Sequence, residues 1–96
     1  MELRTKKLLT IVTEAVLEPE IIQELKQVGI GGFTIDDVRG RGRRGVRRAE
    51  WEQSRTIRFQ IVDEWGTLEN LITRLREDFA DRYAMFMFVA DVATVE

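Results

Sequence analysis

The residues best suited to chemistry are arginines. Six of the chain's twelve stand in VRGRGRRGVRR, residues 38–48, punctuated by glycine and free of lysine. Arginine carries a permanent charge on a planar fork that matches phosphate and carboxylate oxygens. Glycine reaches positive φ without steric cost and can turn backbone N–H groups toward an anion. Arg39, Gly40, Gly42, Arg43 and Arg44 are therefore candidates for a phosphate cradle. The run is neither a GxGxxG before a helix nor a P-loop, because no Gly-Lys-Ser/Thr follows. Glycine-interrupted arginines also occur in RNA-binding segments. GRRG (42–45) meets the GxxG pattern of KH domains, but here a strand precedes it. Trp51 is the one aromatic near the arginines, which makes a thin stacking platform. A solvated basic loop is the plain alternative.

The rest of the composition narrows the classes. The 96 residues contain neither cysteine nor histidine and carry a net charge of −2. Disulfides, thiolate metal sites and Ser-His or Cys-His nucleophile pairs are thereby excluded. Asp36 and Asp37 are strand neighbours pointing to opposite faces, so they cannot pair as acid and base. Glu14 reads as a solitary, solvated carboxylate at a strand end. An enzyme is not expected. The positive charge is local rather than global, which suits a small anion better than a long polyanion, and no DNA partner is expected. The N-terminal apolar run is too short for a signal peptide or membrane span, so a cytoplasmic protein without membrane insertion is expected.

The elements that must position the arginines follow from periodicity. Residues 6–13 read as a strand apolar on both faces, with Leu9 and Ile11 one way and Leu8 and Val12 the other. Residues 17–29 read as a helix, with Pro19 in its first turn and Gly29 as its stop. Residues 32–39 and 55–63 alternate as half-buried strands. EWG turns the chain, and 67–80 reads as a second helix with Thr67 as N-cap. Residues 83–92 form a last strand apolar on both faces. The order is βαββαβ, an α+β ferredoxin-like sandwich in a single domain, 1–96. Two helices cover only one face of four strands, so a second copy is expected on the other. The alternative is that Ala84, Met85 and Met87 are tolerated on a partly exposed face. The connection at 40–54 is longer than the fold needs, which marks it as functional or mobile.

VGIGGFTIDDVRGRGRRG (28–45) resembles the segment of PII signalling proteins that runs from the first helix through the second strand into the long T-loop. Val28, Gly29, Gly32, Thr34, Val38, Arg39, Gly40, Gly42 and Arg43 stand in register with that family's pattern. DVATV (91–95) resembles its last strand. IVTE (11–14) and DRYAMFMF (81–88) look most like the PII-like proteins of inorganic-carbon metabolism, those paired with a bicarbonate transporter or associated with carboxysomes. The chain departs from nitrogen-type members: its one tyrosine is Tyr83, EDFADRYA stands where TGxxGDGK would, and no arginines follow the last strand.

The resemblance implies a homotrimer that binds an adenine nucleotide (ADP, AMP, ATP or cyclic AMP) in clefts between subunits, without a prosthetic group. It implies Thr34 at the adenine or ribose end and Val62 offering backbone to adenine. It implies Gly40, Gly42 and Arg43 at the phosphates, with Arg39 and Arg44 as suitable additions. Bicarbonate is sensed near the nucleotide in carbon-type relatives. The implied mechanism orders residues 40–54 when nucleotide binds, so that a partner reads the loop, with Trp51 as a candidate contact. An ACT-type domain shares the βαββαβ order but needs no arginine loop.

Overall fold

The computed structural model describes residues 1–40 and 55–96. Strand β1 (Leu3–Glu14) leads through a 3-10 turn (Ala15–Leu17) into helix α1 (Glu18–Gln27). Strand β2 (Thr34–Val38) follows, and then β3 (Thr56–Asp63). Helix α2 (Trp65–Asp78) and strand β4 (Met85–Val95) complete the order. The sheet is antiparallel with strand order β2-β3-β1-β4. This is the ferredoxin-like arrangement expected from the element order, with β1 and β3 central and β2 and β4 at the edges.

Alternation along the central strands builds the core. Leu9, Ile11, Ile57, Phe59 and Ile61 are buried in one cluster with Ile21 and Leu25 of α1 and Leu68, Leu71 and Leu75 of α2. The helical spacing of those leucines gives each helix one apolar stripe to lay on the sheet. Between the helices, Arg74 Nε donates to Glu24 Oε1 at 2.6 Å.

Helix α1 ends as its sequence demands. Gly29 has φ +85, where a side chain is strained. Ile30 N–H donates to the Leu25 carbonyl at 2.9 Å and Gly29 N–H to that of Lys26 at 3.1 Å, satisfying carbonyls the helix cannot. Helix α2 begins earlier than expected. EWG is not a turn, and Thr67 is not the N-cap. Glu64 holds the extended N-cap position, Asp63 Oδ1 accepts the Glu64 N–H at 2.7 Å, and the helix starts at Trp65. The first and last strands also run longer than their apolar cores. β1 and β4 pair from Leu3↔Val95 to Thr13↔Met85, since ladder hydrogen bonds continue through polar residues such as Arg4 and Thr94.

Strand β4 is apolar on both faces as expected, but the alternative that leaves Met85 and Met87 on a partly exposed face fails. Met85 and Met87 pack against the core, opposite Thr13 and Ile11. Phe86 and Phe88 instead take the face without helices, 58% and 46% exposed, with ring centroids 5.8 Å apart. The period of two leaves no choice once Met87 sits across from buried Ile11.

Candidate functional site

Cross-strand register places the candidate residues. Thr34 lies opposite Gln60, Asp36 opposite Arg58 and Val38 opposite Thr56. Gln60 lies in turn opposite Thr10, and Val62 opposite Leu8. Partners in register share a face, so Thr34, Asp36, Val38, Arg58, Gln60 and Val62 all lie on the face away from the helices. Thr34 opens β2, and Gly40 stands two residues past its end. Val62 is 43% exposed near the C-terminal end of β3. The structure thus brings Thr34 and Val62 to one side of the β2–β3 ribbon, with Arg39 and Gly40 at its far end. Gly42, Arg43, Arg44 and Trp51 lie outside the described residues, as does the greater part of the connection 40–54.

Two arginine–aspartate pairs flank the point where the chain leaves β2 and re-enters β3. On the open face Arg58 donates through Nε and Nη2 to the two carboxylate oxygens of Asp36, at 3.1 and 2.8 Å. On the helix face Arg55 Nη2 donates to Asp37 Oδ1 at 2.7 Å. That hydrogen bond, followed by the charge of Asp37, raises the Arg55 guanidinium further above its ordinary value. The backbone of Arg55 is fixed as well, because its carbonyl accepts the Ala15 N–H at 3.0 Å. Asp36 and Asp37 do point to opposite faces, and each is engaged by its own arginine. Sequence alone gives neither aspartate a partner and gives Arg58 no role. Their opposition across the ladder becomes readable once β2 and β3 are set in register.

Glu14 is also more than a solvated carboxylate. It is half-buried, and its Oε2 accepts the Ala84 N–H at 2.8 Å. Elsewhere on the open face Thr10 is 2% exposed, and its hydroxyl has no hydrogen-bond partner among the described residues. No cluster of metal-ligating side chains occurs among the described residues. None of the described helices is long and apolar enough to cross a membrane.

This fold and this edge site define a small ferredoxin-like domain that presents its second strand at the sheet border. The family model for nitrogen regulatory protein P-II matches residues 6–96, and the chain belongs to that family. A PII-like signaling protein from Thermus thermophilus is 36% identical, covering 99% of this chain and 94% of its own, with a TM-score of 0.81. CPII, a nitrogen regulatory PII-like protein from Thiomonas intermedia, shares the fold at 20% identity. Its structure with ADP, AMP and bicarbonate covers 99% of this chain and 98% of its own, with a TM-score of 0.82. A DUF3240 family protein from Shewanella baltica matches at 18% identity, covering 90% of this chain and 88% of its own, with a TM-score of 0.68. Comparison with curated proteins found no match.

Proposed function

We propose that this chain is a cytoplasmic, non-enzymatic signalling protein that binds an adenine nucleotide at the β2 edge and regulates a partner in inorganic-carbon metabolism. The observation that carries the reading is that Thr34 and Val62 share one face of the β2–β3 ribbon, with Gly40 at its end. That is one track with the polar Thr34 and the exposed Val62 toward one end and Arg39–Gly40 at the other. β2 is an edge strand, so a ligand there lies at the border of the sheet, where a neighbouring subunit can close over it.

The neighbour follows from the open face. Phe86, Phe88 and Val62 are exposed there, alongside half-buried Leu8 and Val12. In a homotrimer with the sheets facing inward, the copies cover this surface and complete three clefts. The ligands held by CPII, ADP with AMP and bicarbonate, support an adenine nucleotide and bicarbonate as effectors here. Thr34 contacts the adenine or ribose, Val62 offers its backbone to adenine, and Arg39, Gly40, Gly42, Arg43 and Arg44 receive the phosphates. The nucleotide then selects among conformers of residues 40–54, and a bicarbonate transporter or carboxysome component reads the result, with Trp51 as a contact.

Calorimetric titration with AMP, ADP, ATP and cyclic AMP, each with and without bicarbonate, tests the reading. Saturation near one nucleotide per chain is expected, with an affinity that changes when bicarbonate is present. Absence of binding by all four would overturn it, and titration with RNA oligonucleotides across a salt series would follow.

A further inference from the structure

The track from Val62 to Gly40 contains a charged pair that the nucleotide reading leaves without a role. Successive rows on the open face of β2 and β3 are Val62, then Thr34–Gln60, then Asp36–Arg58, then Val38–Thr56. Rows two residues apart are separated by about 7 Å. Arg58 therefore lies about 14 Å from Val62 along β3, a span comparable to a nucleoside monophosphate laid along the strand. It stands between the base end of the track and Gly40, on the same face as Val62.

The geometry of the pair decides what Arg58 can still bind. A guanidinium has five N–H donors on a rigid plane. Asp36 takes the Nε donor and one Nη2 donor. The edge formed by Nη1 and the second Nη2 hydrogen remains, and it is a fork of the kind that meets two oxygens of an oxyanion. Asp36 holds the plane, while the Arg58 side chain is 40% exposed and thus reachable. Arg55 is also exposed, but it lies on the helix face and gives Asp37 a single bond.

We propose that Arg58, oriented by Asp36, is an oxyanion-binding residue of the cleft, and that its Nη1–Nη2 edge takes the oxygens of a nucleotide phosphate or of bicarbonate. Asp36 is a positioning residue, because it acts through Arg58. The assignment rests on the reading that nucleotide lies along this face.

The test is calorimetry on the full chain with adenosine, AMP and sodium bicarbonate, the last alone and with each of the others. The wild-type protein is expected to bind AMP more tightly than adenosine. Arg58→Gln is expected to weaken AMP by about tenfold or more, the scale of a charge-assisted hydrogen bond, and to leave adenosine unchanged. That result assigns the phosphate as the oxyanion. Loss of the bicarbonate effect with an intact preference for AMP assigns bicarbonate. Arg58→Lys keeps the charge without the fork and is expected to lie between wild type and Arg58→Gln. Asp36→Asn is expected to weaken the same ligand less than Arg58→Gln does. Unchanged adenosine affinity shows that the variants fold. If Arg58→Gln binds all three ligands as the wild type does, the pair only clasps two strands and the assignment fails while the nucleotide reading stands. If the wild type binds none of them, both fail.

Discussion

Ala84 is held by two successive side chains of β1: the Thr13 hydroxyl donates to its carbonyl at 2.6 Å, and Glu14 Oε2 accepts its N–H at 2.8 Å. Both polar groups of one backbone unit are thereby satisfied just before β4 begins. Thr13 is fully buried. Replacing it by the near-isosteric valine removes a donor and leaves the Ala84 carbonyl unpaired. Thr13→Val is expected to cost about 1–3 kcal/mol, read as a lower urea midpoint with an unchanged slope. Thr13→Ser keeps the hydroxyl and should recover most of the loss.

Gly29 offers a cleaner case of backbone strain. An added Cβ there meets nothing within 4 Å, yet φ is +85. The penalty of Gly29→Ala is therefore conformational and not steric, about 1–2 kcal/mol. Gly31 is equally open and its φ does not lie in the left-handed region. Gly31→Ala is expected to change the thermal midpoint far less, and the two variants side by side separate strain from crowding.

How much could be read without coordinates differs by kind of information. The βαββαβ order and the two apolar stripes were legible, because periods of two and of 3.6 are written in Leu9, Ile11, Leu68, Leu71 and their neighbours. Element ends were not. Thr67 has the right chemistry for an N-cap, but Asp63 binds the Glu64 N–H first and the helix starts upstream. The faces of β4 were illegible too, since MFMFV is apolar at every position and only pairing with Ile11 decides which residues turn inward. At the proposed site, Thr34 and Val62 were nominated by resemblance to a family pattern. Arg58 was not, because it becomes meaningful only when β2 and β3 are in register and Asp36 stands opposite it.

Thr10 poses the opposite problem to Thr13. Its hydroxyl is buried and, among the described residues, unpartnered, with Phe88 and Gln60 on its two neighbouring strands and Leu8 and Val12 on its own. A buried donor without an acceptor costs about 1–3 kcal/mol relative to an apolar group of the same shape. Thr10→Val is expected to raise the thermal midpoint or leave it unchanged. A clear loss of stability that disappears on dilution would instead mean that the hydroxyl bonds to a neighbouring subunit.

Phe88 provides the test of the open face as an interface between copies. Its ring packs beside Phe86 and lies in the row of Thr10 and Gln60, away from the helices and from the core cluster. A substitution there can disturb an assembly without touching the monomer's core. In a trimer Phe88→Glu would set a carboxylate from each copy into a desolvated interface, where an unpaired charge is strongly unfavourable. The expected result is a fall in mass by light scattering from three chains to one, with far-UV circular dichroism retained. Nucleotide binding should weaken along with it, because each cleft loses the subunit that closes it. An unchanged mass in Phe88→Glu would mean that neighbouring copies do not cover this face, and a monomeric variant with full nucleotide affinity would move the ligand site into a single subunit.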